Sequence, residues 1–172
     1  MSDHNAKLSE EGLQDFLGEI ERMHHRDDQH VIEPNLVTHS DDAYWLVGGT
    51  DNPSHLGLLR HLPMKTVEFI LQMIPATTAT DLQRHVHESV HYVSDGSGWS
   101  EIGDQVVTWK KGDFVFTPPW IWHRHYANSE DVHMIIIENS RMLNTLDAGR
   151  RESRGKVSFA DEFGREGVSS KE

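Results

Sequence analysis

The sequence predicts an all-β domain, a small barrel or sandwich, preceded by one amphipathic helix. From residue 64 onward, apolar residues recur at every second position, and no helical pattern is found between residue 66 and about residue 138. Clusters of Gly, Asp and Pro separate these short runs at close spacing, as in barrels and sandwiches. A chain of 172 residues is long enough for one such domain with extensions at its ends.

The helix is predicted over residues 8–25, where apolar residues recur at helical spacing. Ser9 is placed to cap it, and Glu10 and Glu11 lie in its first turn, where the helix dipole favours negative charge. Its apolar residues are Leu8, Leu13, Phe16, Leu17, Ile20 and Met23. This face needs a partner surface, either on the same barrel or on a second subunit.

The strands follow a segment broken by Pro and Gly, with a short strand expected at 43–47. In the segment TVEFILQM, alternation puts Val67, Phe69, Leu71 and Met73 on one face. A later hairpin is predicted to turn at Gly103 and Asp104.

Composition divides the chain into three predicted parts. Residues 1–63 form the N-terminal helix and an extended arm, and residues 64–140 form the barrel core. Residues 141–172 are charged and contain Gly and Ser, which predicts a polar tail that is loose or lies on a neighbouring subunit.

The charge and composition exclude several classes of partner and chemistry. A net charge of −12 opposes binding to nucleic acid, and the one basic cluster, RRESRGK, is interleaved with Glu and Ser. The absence of Cys excludes disulfides and thiolate chemistry. No apolar run is long enough to span a membrane, and the N-terminus lacks the pattern of a secretory signal. We therefore expect a cytoplasmic protein that binds neither nucleic acid nor membranes.

A row of histidines in QRHVHESVHYVSDG, residues 83–96, raises the question of function. In an extended strand, alternate residues share one face. One face would carry Gln83, His85, His87, Ser89 and His91. The opposite face would carry Arg84, Val86, Glu88, Val90 and Tyr92. Two interpretations are open: the imidazoles point into a cavity, or the apolar residues form the core and the histidines face water.

A second histidine pair favours the cavity. His123 and His125 stand two residues apart in GDFVFTPPWIWHRHYAN. A metal site in a β-barrel draws its ligands from strands that are distant in sequence, and neutral imidazoles suit a divalent first-row metal.

These residues resemble the motifs of the cupin superfamily, small jelly-roll-like barrels built as a double-stranded β-helix. The second cupin motif is matched by Gly112 and Asp113, Pro118 and His123, with Asn128 near the family's last Asn. The segment TPPWIWHRHYAN is similar to gentisate 1,2-dioxygenase and its small relatives, which hold Fe(II) with three histidines.

The first cupin motif is shifted. Counted back from the closing Gly, the family's histidine pair falls on Gln83 and His85, and its Glu falls on Ser89. The pair His85 and His87 keeps the inward face. The resemblance therefore implies His85, His87 and His123 as metal ligands, with Gln83 in place of His87 as the alternative.

His91 and His125 share the faces of these ligands. We expect them to be catalytic groups that move protons, because an imidazole titrates near neutral pH.

Aromatic and cationic side chains nearby have two possible roles each. Trp120 and Trp122 either pack the barrel or line the mouth of a site for a flat substrate. Arg60, Arg84 and Arg124 either anchor a substrate carboxylate or form exposed ion pairs.

The resemblance implies a non-haem dioxygenase that uses Fe(II) and O2 to cleave a C–C bond in a small hydroxylated aromatic, hydroxy or keto compound. Zn, Mn and Ni remain open as the metal. An isomerase, lyase or cyclase that uses the ion as a Lewis acid is one alternative, and a non-catalytic cupin that binds a small ligand is another. Cupins commonly pair, so we expect a homodimer.

Overall fold

The computed structural model of the chain describes residues 13–15, 17, 18, 20, 21, 36–59, 62 and 64–164. The chain divides into two compact units, residues 1–34 and residues 35–172. In the first unit the described residues are helical, in agreement with the helix predicted over 8–25. Leu13, Leu17 and Ile20 belong to this stretch, whereas the rest of its predicted apolar face lies outside the described residues. In the described part of the chain, no helix has the length and apolar character needed to cross a membrane. The homodimer and the cytoplasmic location stay predictions.

The described residues of the second unit form strands, short helices and turns. A 3-10 helix spans Ser40–Asp42, and two α-helices, α1 (Ser140–Thr145) and α2 (Phe159–Phe163), lie near the C-terminus. The strands are β1 (Tyr44–Leu46), β2 (His55–Leu58), β3 (Glu68–Ile74), β4 (Gln83–His85), β5 (Ser89–Asp95), β6 (Ser97–Ile102), β7 (Gln105–Lys110), β8 (Phe114–Thr117), β9 (His123–Ala127), β10 (Val132–Glu138) and β11 (Arg151–Ser153).

These strands form two antiparallel sheets that share one core. The first sheet has the order β1-β2-β3-β10-β5-β8, and the second has the order β11-β4-β9-β6-β7. Side chains from both sheets fill the core: Ile74, Val93, Trp109, Val115, Ala127, Val132 and Met134. The all-β prediction is confirmed, and the hairpin of β6 and β7 turns at Gly103 and Asp104 as expected.

The burial of β3 places a polar side chain in the interior. Its buried residues are Ile70, Gln72 and Ile74, whereas the apolar face noted in the sequence, which includes Phe69 and Leu71, is only half-buried. Alternation was predicted correctly, but both faces of β3 are largely apolar, so the pattern does not reveal which face points inward.

The histidine-rich stretch forms two strands rather than one. β4 ends at His85, the chain is irregular at 86–88, and β5 begins at Ser89. The break leaves the alternation intact, because His85, Ser89 and His91 are all buried. The histidines, rather than Val86 and Val90, therefore occupy the inner face.

The segment expected to be a loose tail is folded in its described part. Arg151–Ser153 forms β11, which pairs with β4 so that Arg151 lies opposite His85. The side chain of Ser158 accepts a hydrogen bond that caps α2, and Phe159 in this helix is buried. Backbone pairing and apolar burial thus outweigh the polar composition on which the expectation rested. The division at 63/64 and 140/141 stays a prediction.

Candidate active site

Five imidazole rings form a chain of contacts between the two sheets. His87 stacks on His85 with ring centroids 3.7 Å apart, and His85 meets His123 edge-on at 4.7 Å. His123 lies 5.5 Å from His125, which lies 4.5 Å from His91. β4 and β9 of one sheet supply three of these residues, and His91 reaches them from β5 of the other sheet. The structure therefore brings together all five histidines selected from the sequence.

Four of these rings are neutral at physiological pH. Burial, followed by the neighbouring His87, lowers the pKa of His85 to about 4. Burial also lowers the pKa of His91 to about 3, and it holds the pKa values of His123 and His125 well below the usual range. The expectation that His91 and His125 titrate near neutral pH is wrong, because neither ring can reach water to solvate its charged form.

His85 and His123 have the same protonation pattern. The Nδ1–H group of His85 donates to the carbonyl oxygen of His87 over 2.8 Å, and that of His123 donates to the carbonyl oxygen of Ile121 over 2.8 Å. In a neutral ring this leaves a lone pair on Nε2. The Nε2 atom of His123 is buried and has no partner. A metal-ligating histidine usually donates its second ring nitrogen in this way.

His87 faces a carboxylate instead. Its Nε2 atom lies 3.1 Å from Oε2 of Glu138, and both side chains are largely buried. Burial alone would raise the pKa of Glu138, but the hydrogen bond and the electrostatic interaction with His87 lower it. Glu138 is therefore ionised, and His87 is oriented toward it.

Gln83, the alternative ligand, is also engaged. It lies opposite His123 in the register of β4 and β9, but its Oε1 atom accepts a hydrogen bond of 2.7 Å from Nε of Arg151.

Two of the three predicted metal ligands, His85 and His123, fit a first-row metal, whereas neither candidate for the third ligand is free to bind it. His85 and His123 offer neutral imidazole nitrogens, which such metals favour. Within the part of the chain that the structure describes, however, no group of three or more His, Cys, Asp or Glu side chains is arranged to hold a metal ion. A third ligand requires His87 to turn from Glu138 or Gln83 to leave Arg151.

His125 presents an N–H group to the interior, and His91 presents an unpartnered ring nitrogen there. The indole N–H of Trp109 can only donate, so Oγ of Ser100 accepts it over 2.7 Å, and the Ser100 hydroxyl is left to donate to Nδ1 of His125, also over 2.7 Å. His125 then carries its proton on Nε2, which is buried without a partner. His91 pairs similarly with the hydroxyl of Ser89 through Nε2, and its buried Nδ1 has no partner.

A cavity of about 180 Å³ lies beside this cluster. Arg151 is the one arginine or lysine among its described lining residues, and Glu138 is the one carboxylate. Leu56, Ile70 and Ile136 form apolar walls. Its remaining lining residues are Asn52, Gln72, Gln83, His85, His87, Ser89 and His91. A cavity of about 150 Å³ holds benzene, so this one suits a molecule with a single ring.

Comparison with known proteins identifies the fold that carries this cavity. Residues 69–138, which include β3 to β10, match the family model described as a cupin domain. We refer to this matching segment as the cupin domain.

The cupin domain resembles those of gentisate 1,2-dioxygenase-like enzymes. The chain is 33% identical over 89 residues to gentisate 1,2 dioxygenase 1 of Aquipseudomonas alcaligenes, and the match covers 50% of this chain and 25% of the relative. It is 23% identical over 90 residues to 5-aminosalicylate 1,2-dioxygenase of Comamonas sp, covering 52% of this chain and 24% of the relative. The match thus spans about a quarter of the length of these relatives.

A solved structure shares the same fold. The salicylate 1,2-dioxygenase of Pseudoaminobacter salicylatoxidans, in its adducts with gentisate, superimposes with a TM-score of 0.55 at 17% identity. The superposition covers 62% of this chain and 30% of that protein.

The tryptophans of the cupin domain lie outside its cavity. The guanidinium of Arg84 lies 4.4 Å from the ring of Trp120 and 4.8 Å from that of Trp122, and it bonds Glu152. Neither tryptophan is among the described residues that line the cavity. They serve as packing surfaces for arginine rather than as an aromatic mouth.

Two of the arginines selected from the sequence, Arg84 and Arg124, do not line the cavity. Arg84 pairs with Glu152, Arg124 donates to backbone carbonyls, including that of Thr80, and Arg60 lies outside the described residues. The cavity's cation is Arg151, which also donates to Oδ2 of Asp81. Sequence analysis missed Arg151 because it lies in the basic cluster assigned to the tail, and it missed Gln72 because that residue interrupts an apolar run.

Proposed function

We propose that this chain is a metal-dependent cupin dioxygenase, with Fe(II) as its metal, that cleaves a C–C bond in a small monocyclic hydroxylated acid. The observation that carries the proposal is the pair of neutral imidazoles, His85 and His123, whose Nε2 atoms are free to coordinate. Its relatives include enzymes named for gentisate and 5-aminosalicylate, which supports both the reaction and the substrate class.

The metal ligands we propose are His85 and His123, with His87 as the third and Gln83 as its alternative. Bound Fe(II) would supply the redox chemistry that O2 requires and a positive charge for substrate oxygens. Holding the substrate beside the ion and excluding water are tasks of the protein. The buried position of the histidines supports the second task, since His123 and His125 are fully inaccessible to water.

Arg151 is the proposed anchor for the substrate carboxylate. It lines the cavity, and its pairing with Asp81 and Gln83 fixes the direction of the guanidinium. A planar guanidinium with several N–H donors suits a carboxylate better than an ammonium group does.

We propose His91 and His125 as catalytic groups that act as neutral N–H donors. Each has one ring nitrogen held by a serine and the other unpartnered in the interior. A donor of this kind stabilises negative charge that develops on an oxygen atom near it.

The deciding experiment is elemental analysis of the purified chain, of a His123→Ala variant and of a His133→Ala control. His133 is exposed on β10, outside the cluster. We expect about one iron per chain in the wild type and in the control, loss of the iron in His123→Ala, and O2 uptake with 2,5-dihydroxybenzoate. One zinc, manganese or nickel per chain and turnover without O2 would indicate the Lewis-acid alternative instead.

A non-catalytic ligand-binding cupin is the second candidate. The engagement of His87 by Glu138 and of Gln83 by Arg151 favours it, because both candidates for the third ligand are held by other partners. Failure to retain any metal after anaerobic loading with Fe(II), with aromatic acids still bound, would support this candidate over the dioxygenase.

A further inference from the structure

We propose that Gln72 is a specificity-determining residue whose amide oxygen accepts a hydrogen bond from a second polar substituent on the substrate ring. The inference rests on the proposed function and narrows its substrate class. The preferred acid carries a hydroxyl or amino group on the ring, remote from the carboxylate that Arg151 holds.

The observation behind this proposal is an unsatisfied buried acceptor. Gln72 is only 5% exposed, and its Oε1 atom has no hydrogen-bond partner. Its side chain lines the cavity. Its neighbours across the sheet are Leu56 and Met134, whose side chains cannot donate. Because a buried polar atom without a partner destabilises the folded chain, a ligand that supplies a donor there gains affinity.

The position of Gln72 suits the far end of a ring. Gln72 projects from β3 of the first sheet, whereas Arg151 comes from β11 of the second, so the two polar groups enter the cavity from opposite sheets. Ile70 and Ile136 provide apolar wall on the Gln72 side. A flat ring with polar substituents at both ends satisfies all of these surfaces.

The unpartnered nitrogen of His91 favours a hydroxyl group at this end. His91 and Gln72 both line the cavity, and neither the Nδ1 atom of the first nor the Oε1 atom of the second has a partner, so they do not bond each other. When the Ser89 hydroxyl donates to Nε2 of His91, Nδ1 carries the proton. A hydroxyl group on the ligand can then donate to the amide oxygen and accept from this Nδ1–H group, whereas a methyl group can do neither.

The first test compares ligands on the full wild-type chain by isothermal titration calorimetry in the absence of O2. The probes are 2,4- and 2,5-dihydroxybenzoate, each against the analogue in which a methyl group replaces the remote hydroxyl. We expect at least one hydroxyl compound to bind about tenfold more tightly than its methyl counterpart. Equal affinity within both pairs overturns the role of Gln72.

The second test uses Gln72→Met, which removes the amide at similar volume, beside a Gln105→Met control at an exposed position of β7. We expect Gln72→Met to lose the preference while binding 2-hydroxybenzoate as the wild type does, and the control to keep it. A preference that survives in Gln72→Met contradicts the proposal, and the wild-type comparison decides by itself if this variant does not fold.

The same measurements distinguish the role of Gln72 from the proposed substrate class. Binding of 2-hydroxybenzoate without any preference for the remote hydroxyl refutes only the role of Gln72. Failure of every aromatic acid to bind the wild-type chain refutes the proposed substrate class as well.

Discussion

At the level of single residues, the site depends on which nitrogen of each imidazole carries the proton. His123 donates from Nδ1 and keeps a lone pair on Nε2, whereas His125 accepts at Nδ1 and carries its proton on Nε2. Two histidines on one strand, two residues apart, therefore offer opposite groups to the interior. The first suits a metal ion, and the second suits an anionic oxygen of a ligand.

Arg151→Gln should weaken binding of 2-hydroxybenzoate about tenfold, because the carboxylate loses its charged partner. Binding of the uncharged 2-hydroxybenzamide should change little, and titration calorimetry measures both. Arg150→Gln is the matched control, since Arg150 is the preceding residue and forms an ion pair with Glu152 at the surface. Equal losses in the two variants would show that general charge, and not a specific contact, draws the acid to the protein.

Part of this site can be predicted from the sequence and part cannot. His85 and His123 are evident because pairs of histidines two residues apart indicate one face of a strand. Gln72 and Arg151 are not evident, because their roles arise from the packing of one sheet against the other. The Gln72 side chain is distinguished only by an oxygen atom that has no partner, and no sequence pattern records a missing hydrogen bond.

At the level of elements, a stack of arginine and tryptophan side chains joins β4, β11 and the loop before β9. The guanidinium of Arg84 lies over the rings of both Trp120 and Trp122. Arg150 lies 4.5 Å from the centre of the Trp120 ring, and Arg154 lies 5.5 Å from that of Trp122. His85 follows Arg84 in β4, and His123 is the residue after Trp122 and begins β9. The stack therefore holds the strands that carry the proposed ligands.

Arg84→Ala should lower the free energy of unfolding by about 1–2 kcal/mol, because the stack loses the guanidinium of Arg84 and the packing of the aliphatic part of that side chain. Urea denaturation measures this change. Lys111→Ala is the control, since Lys111 and Asp95 form an ion pair with both side chains more than 60% exposed, and such exposed pairs contribute little to stability. Equal effects in the two variants would contradict a structural role for the stack.

The elements themselves were predicted to different degrees. Alternation and turn residues were sufficient for β3 and for the hairpin of β6 and β7. β11 could not be predicted, because three residues are too few for a periodic pattern and its pairing with β4 depends on contacts nearly 70 positions away.

At the level of the whole molecule, the buried neutral histidines make stability depend on pH. Their pKa values are lowered in the folded chain, to about 4 for His85 and about 3 for His91. Between these values and about 6.5, the unfolded chain binds protons that the folded chain does not. Stability is therefore complete above pH 6.5 and is lost as the pH falls toward 4.

For the metal-free chain, we expect the free energy of unfolding to fall between pH 6 and pH 4, by about 1.4 kcal/mol per pH unit for each buried neutral histidine. Urea unfolding at several pH values gives the slope. His91→Asn should reduce this slope by the contribution of one proton, about 1.4 kcal/mol per pH unit. His133→Asn, at an exposed position, should leave the slope unchanged. An unchanged slope in His91→Asn would mean that this ring is charged in the folded state.

The pairing of β11 with β4 also has a consequence for how the cavity is made during synthesis. All strands of the cupin domain are complete at residue 138, and the proposed metal ligands with them, before Arg151 has been translated. The wall that receives the acid is therefore completed last, because Arg151 leaves the ribosome after every strand that carries a proposed ligand. A chain cut between residues 138 and 151 would keep the imidazoles of the proposed metal site and lack the cation that selects its ligand.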